Sequence, residues 1–192
     1  NLFFFIYSHP LLYKILTEDS SYELSHFRGG LPIHLVGIDY DASTFKDAKT
    51  LAKNQNLLHF AKFLEKDAWT LHINEEFDLI SSNGLNIYEP DNDKIILLYK
   101  QFYQALKPGG KLVTSFLTPP PSLTDNCEWL TNKLKQEDLL LQRIIFSDII
   151  GAKWQCFRST QQTKEQLQTI GYKEIEFIYD EAHIFPTVVA SK

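Results

Sequence analysis

A chain of 192 residues, 44% hydrophobic and 22% charged, is long enough for one domain with a sizeable core; this excludes a disordered chain, a membrane bundle and a disulfide-stapled miniprotein. With 19 Lys and Arg against 24 Asp and Glu the formal charge is −5, so no bulk attraction draws the chain to nucleic acid or anionic lipid, although a local basic patch stays open. Two cysteines, Cys127 and Cys156, are too few and too far apart for a metal-ligand cluster or a disulfide framework, which fits a reducing compartment and a cytoplasmic location.

The apolar run Leu2–Tyr7 has no basic residue before it, and Pro10 and Lys14 interrupt it without a small-residue cleavage pattern, so it does not read as a signal peptide. It is also too short to span a bilayer. The expectation is an N-terminal cap segment over residues 1–32, an aromatic stretch that packs on the domain and continues through Tyr13, Ile15 and Leu16 as a helix of low regularity. Thr17 to Ser21 reads as a connection.

From Ile33 strands and helices alternate. Ile33–Ile38 is a short, β-branched apolar run suited to a buried parallel strand, and it ends in Asp39-Tyr40-Asp41. Ser43 is placed to cap a helix carrying Phe45, Ala48, Leu51 and Ala52. A second strand is expected within Leu57–Phe63, ending near Asp67-Ala68-Trp69, and a third in Phe77–Ile80, stopping at Ser81 to Gly84. Ile95, Leu98, Tyr99, Phe102 and Leu106 recur at helical spacing, and Lys107-Pro108-Gly109-Gly110 then supplies a turn into the strand Lys111–Phe116. After Pro119-Pro120-Pro121 comes a mostly helical insertion, about residues 122–160. Thr163 with Gln166 resembles a capping box, and Gly171 stands where a helix ends. The strands Tyr172–Tyr179 and Ile184–Ser191 are joined by so short a link that they must be antiparallel, whereas the helix-separated strands must be parallel. The result is an α/β domain over residues 33–192, an open and mainly parallel sheet with a C-terminal antiparallel strand.

Ligands of such sheets bind at the carboxyl ends of the strands, which here carry Asp39, Asp67 and Ser82-Asn83-Gly84. An ionised carboxylate offers only acceptors, so Asp39 suits a pair of ribose hydroxyls. Tyr40 could lie on an adenine face, and Asp67 with the Ala68 N–H could meet a purine edge. Each also has a plain structural use, since an Asp that closes a strand equally serves as a cap or turn former.

Together the stretches HLVGIDYD, EKDAW, EEFDLISSNGLNIY, ALKPGGKLVTSF and GYKEIEFIYDEAHIFPTVVAS resemble the class I S-adenosylmethionine-dependent methyltransferases, from about Ile33 to Lys192. The resemblance implies a Rossmann-like sheet of seven strands, helices on both faces, and S-adenosylmethionine as cofactor with S-adenosylhomocysteine as product. It further implies that Asp39 holds the ribose and Tyr40 flanks the adenine. Asp67, Ala68 and the neighbouring Trp69 would reach the adenine, while Ser82, Asn83, Gly84 and Leu85 line the methionine side. Transfer by in-line displacement needs alignment and exclusion of water rather than a metal, so no metal site is expected. His183 is of the residue type that most often serves as a general base, where one is needed, but equally reads as a surface or packing histidine. The partner expected is a small-molecule acceptor, under a lid formed by the insertion and the aromatic Phe4, Tyr7 and Tyr13, residues that serve equally well as core cover. Asn83-Gly84-Leu85-Asn86 lacks the Pro-Pro-aromatic pattern of the amino-methylating nucleic-acid enzymes, and neither nucleic acid nor membrane is expected as partner.

One departure stands out. The family's first strand ends in a glycine-rich loop, and none lies upstream of Ile33: Gly29-Gly30 occupies an ordinary turn position, and no methionine occurs anywhere. The expectation is therefore that residues are missing between Lys14 and Tyr22, with the absent strand and loop near Ser20-Ser21. Two other readings stay open. A methyltransferase-like binding module without activity follows if the loop is truly absent, and a nicotinamide-dependent dehydrogenase shares Asp39 but not the closing hairpin or the LKPGG turn.

Overall fold

The computed structural model describes residues 2–6, 34–149 and 156–192. Its centre is a seven-stranded sheet of order β3-β2-β1-β4-β5-β7-β6. In chain order the strands are β1 Leu2–Ile6, β2 His34–Asp39, β3 Ala61–Glu65, β4 Phe77–Asn83, β5 Leu106–Ser115, β6 Lys173–Ile178 and β7 Thr187–Ser191. The pairs from β3 through to β5 are parallel, and β7 runs antiparallel to both of its neighbours.

The N-terminal expectation needs correction. Leu2–Ile6 is not a segment lying over the domain but an interior strand of the sheet, central in its parallel part and paired with β2 on one side and β4 on the other. Its backbone groups are bonded on both flanks, the place of an interior strand, which suits five consecutive apolar residues. The first strand is thus Leu2–Ile6 and not a segment near Ser20-Ser21. The expected junction between Lys14 and Tyr22, and the aromatics Tyr7 and Tyr13 of the proposed lid, lie outside the described residues, while Phe4 is within β1.

Right-handed crossovers decide which face each helix covers. Helix α1, Phe45–Asn54, links β2 to β3 in one direction along the sheet. Helices α2, Asn92–Ala105, and α4, Thr160–Ile170, follow β4 and the insertion and step the other way, so they share the opposite face. They touch there: the Tyr172 hydroxyl just beyond α4 donates to the Tyr99 carbonyl of α2 at 3.1 Å. The α2 stripe Ile95, Leu98, Tyr99, Phe102 and Ala105 is buried to 1% exposure or less against Ile80, Leu112 and Val188 of the sheet.

Several boundaries differ from expectation for local reasons. The Asp41 carboxylate, not Ser43, caps the turn into α1, accepting the Ser43 N–H at 2.9 Å. The segment before β3 coils first into a 3-10 turn, Leu58–Phe60. Helix α4 is capped by Ser159, whose Oγ accepts the Gln162 N–H at 3.1 Å; Thr163 and Gln166 form no capping box and lie buried inside the helix, which ends at Gly171. Lys107 to Gly110 is a bulge inside one continuous β5, because Phe77 pairs with Leu106 and Leu79 already with Lys111. Gly110 has no room for a side chain there, since a Cβ would sit 2.9 Å from the Lys107 carbonyl oxygen and 3.1 Å from that of Phe77.

The insertion is helical only in part. Residues 116–130 are irregular, then come a 3-10 turn at Thr131–Lys133, helix α3 at Gln136–Arg143 and a π-helical stretch at Ile144–Ile149. The chain returns as Cys156–Ser159, where Phe157 bridges Leu117 in parallel.

Candidate functional site

Register brings the carboxyl ends of the strands level. Leu64, Ile38, Ile6, Ser82, Thr114 and Val188 form one row across six strands. One residue further on stand Asp39 on β2 and Asn83 on β4, flanking the end of β1. Two strand spacings separate them, about 10 Å. The direction of strand order reverses between β1 and β4, and crevices for ligands open at such points.

On the β2 side, one Asp39 carboxylate oxygen accepts the Asp41 N–H at 2.9 Å, and the other has no partner among the described residues. The Asp39 carbonyl takes the Lys66 N–H at 3.0 Å, which sets the turn after β3 beside it. Tyr40 is 81% exposed, so its ring is open to a ligand. Asp67 accepts the Trp69 N–H at 2.9 Å and so caps the three-residue 3-10 turn Ala68–Thr70. Ala68 opens this turn, where the first backbone N–H groups lie outside the turn's own hydrogen-bond ladder. Ala68 is buried, and the Trp69 indole N–H is committed to the Lys94 carbonyl at 3.1 Å.

On the β4 side Ser82 is buried, and Asn83 Oδ1 accepts the Ser115 hydroxyl at 2.8 Å. Gly84 follows at φ 73°, a left-handed conformation that side-chain-bearing residues resist, and heads the 3-10 turn Leu85–Tyr88. A Cβ here would meet Ile87 Cδ1 at 3.0 Å and Phe185 at 3.7 Å, so the loop between β6 and β7 closes directly over this turn. That loop holds His183. Its ring stacks on Tyr179 with centroids 4.3 Å apart, and its carbonyl accepts the Thr118 hydroxyl at 2.7 Å. The Asp180 carboxylate shapes the loop by accepting the N–H groups of Ala182, Ile184 and Phe185. Trp129 of the insertion donates its indole N–H to the Thr118 hydroxyl at 2.9 Å, which ties the insertion to the same wall.

The structure therefore gathers Asp39, Tyr40, Asp67, Ala68 and Trp69 on the β2–β3 side of the β1 end, and Ser82, Asn83 and Gly84 on the β4 side with His183 nearby in the fold. It also reveals a buried polar group behind the Gly84 turn that no motif marked. Asn86, 1% exposed, donates its Nδ2 to the Tyr99 hydroxyl at 2.7 Å, while its Oδ1 has no partner among the described residues. Burial pushes the Tyr99 phenol up to about 12, against the opposing effects of the Asn86 hydrogen bond and the Arg158 charge. Arg158, 2% exposed, lies on the far side of the turn. A long-range contact of this kind leaves no spacing to read, because Asn86 and Arg158 are 72 residues apart in the chain.

The residues present fit the implied cofactor on these two sides: at the end of β2 a carboxylate with one oxygen unpartnered among the described residues, and after β4 a turn headed by a glycine. The loop after β1, where the family's glycines belong, is outside the described residues. Among the described residues no helix is long and apolar enough to cross a membrane.

Residues 19–177 match a protein family described as a methyltransferase domain. Among solved structures, a protein of Bordetella parapertussis described as a possible exported protein is 39% identical, with a TM-score of 0.84 over 99% of this chain and 61% of that one. A SAM-dependent methyltransferase of Methanosarcina mazei is 16% identical, with a TM-score of 0.62 over 100% of this chain and 92% of that one. An O-methyltransferase family 2 protein of Planctomyces limnophilus, in complex with apigenin, is 12% identical, with a TM-score of 0.66 over 100% of this chain and 50% of that one. The chain thus spans about half to three-fifths of the length of several of these proteins. No curated protein matches it. With a family match over most of its length and a 3-2-1-4-5-7-6 sheet that carries its acidic and glycine-bearing turns on either side of the switch point, the chain belongs to the methyltransferase-domain family, with the class I S-adenosylmethionine-dependent fold.

Proposed function

We propose that the chain transfers a methyl group from S-adenosylmethionine to a small-molecule acceptor, leaving S-adenosylhomocysteine. The observation that carries this reading is the pair of unlike turns flanking β1, Asp39 with one carboxylate oxygen unpartnered among the described residues and Gly84 with no side chain. When bound, the cofactor supplies a methyl group on a sulfonium centre, open to in-line displacement. Asp39 accepts from the ribose hydroxyls, and Tyr40 covers the adenine. The Ala68 N–H and the Asp67 carboxylate meet the purine edge. Trp69, its N–H already committed, contributes surface only. Ser82, Asn83 and Gly84 line the methionine side.

The acceptor is assigned to the side of the Gly84 turn that faces Phe185 and the insertion at Trp129, whose aromatic side chains suit a site that must exclude water. The apigenin complex of the Planctomyces limnophilus relative supports a small organic acceptor. Where that acceptor must lose a proton, His183 of the β6–β7 loop takes it. Cytoplasmic residence is part of the same reading and is supported by Cys127 and Cys156, both free thiols.

Calorimetric titration with S-adenosylhomocysteine tests the reading. The native protein should bind, and Asp39→Ala should weaken binding by roughly 1.5–3 kcal/mol, about ten- to hundredfold, because a charged hydrogen-bond acceptor is lost. No binding by the native protein would turn the case toward a binding module without activity, and binding of NAD instead would turn it toward a dehydrogenase.

A further inference from the structure

The turn Gly84–Glu89 has backbone carbonyls that its single 3-10 turn leaves over, and three of them receive donors from one distant segment. Cys156 N–H donates to the Ile87 carbonyl at 2.7 Å, and the Arg158 guanidinium donates through Nη1 to Asn86 O at 2.9 Å and through Nη2 to Glu89 O at 2.6 Å. The third arm of the guanidinium, Nε, donates to Asn92 Oδ1 in the first turn of α2 at 3.0 Å. The same segment is held to the end of β5, because Arg158 N–H donates to the Leu117 carbonyl at 2.8 Å. A charge 2% exposed, bonded to neutral carbonyls, is an expensive way to hold a loop. What the planar fork provides is fixed geometry, two carbonyls and one side chain in set directions.

We propose that Arg158 is a positioning residue of the methyl-transfer site: it fixes the Gly84–Glu89 turn against α2 and makes the shape of the methionine side depend on how the insertion returns to the sheet. The proposal rests on the cofactor reading above. Cys156–Ser159 is where the chain returns to the sheet, and Arg158 there holds Asn86 and Glu89, which share the turn with Gly84.

The test combines hydrogen exchange with calorimetry on native protein, Arg158→Lys, Asn92→Ala and the core variant Leu167→Ala. Lysine keeps the charge but not the fork. In Arg158→Lys the amides of Ile87 and Cys156 should exchange at least tenfold faster while those of β5 keep their native rates, and S-adenosylhomocysteine should bind about tenfold more weakly. Asn92→Ala removes one arm at an exposed residue, so it should fold even if Arg158→Lys does not, and should weaken binding about two- to fivefold. Leu167→Ala should lower the melting temperature and leave the affinity as in the native protein. Unchanged exchange at Ile87 and Cys156 overturns the clamp and leaves the reading of the site intact. Affinity that falls in Leu167→Ala as much as in Arg158→Lys overturns the positioning role, because loss of stability alone then explains it. Native protein that exchanges as expected but does not bind S-adenosylhomocysteine overturns the cofactor reading, and the positioning role with it.

Discussion

Burial of a phenol changes what pH does to this fold. The Tyr99 hydroxyl is raised to about 12 in the folded protein, above its ordinary value of 10.0, chiefly by burial. Between those values the unfolded chain has lost the proton that the folded chain keeps, so stability is full below about pH 10 and falls as pH rises toward 12. Tyr172 shifts in the same direction, also by burial, and adds to the slope. Urea midpoints at pH 8, 10 and 11 should fall for the native protein and fall less steeply for Tyr99→Phe. At pH 8 that variant should be less stable by about 1–3 kcal/mol, because it strands the buried Asn86 amide that now donates to the hydroxyl. Gly84 makes a second residue-scale case. A Cβ there would meet both a left-handed φ of 73° and Ile87 at 3.0 Å, so Gly84→Ala should cost roughly 1–2 kcal/mol in denaturant titration and also lower the affinity for S-adenosylhomocysteine. At this scale Asp39, Asp67 and Gly84 were legible as positions because each stands at or just past the end of a strand that its own sequence marks. Asn86 and Arg158 were not, because their pairing spans the insertion.

At the scale of the element, caps and periods carry different amounts of information. The stripe Ile95, Leu98, Tyr99, Phe102 located α2 to within two residues, since four apolar side chains at helical spacing mark one buried face. The start of α4 was placed four residues late: Thr163 and Gln166 have the spacing of a capping box, but so do Ser159 and Gln162, and only the latter have free N–H groups to satisfy. Ser159→Ala should therefore cost about 1 kcal/mol, whereas Thr163→Val, which removes a buried hydroxyl that has no partner among the described residues, should be neutral or stabilising in thermal melts. Strand β1 escaped for the opposite reason. A run such as Leu2–Ile6 shows neither period, and length alone does not separate a central strand from an aromatic cover.

For the whole molecule, alternation of strand and helix was enough to give a parallel sheet with an antiparallel end, but not to show that the first strand lies in its interior. That placement has a measurable consequence. Phe4 pairs with Val36 on one side and Ile80 on the other, so Phe4→Pro removes a donor from a strand with no free edge and should abolish the cooperative melt followed by circular dichroism. The position of β7 between β5 and β6 bears on a different moment in the life of the protein, its synthesis. Ser115 of β5 pairs with Thr187 of β7, 72 residues further along the chain. At about 5–20 residues per second a ribosome needs roughly 4–14 s to make that interval. During it β5 presents a bare edge and β6 has no place in the sheet, so the nascent chain depends on whatever shields that edge until β7 emerges.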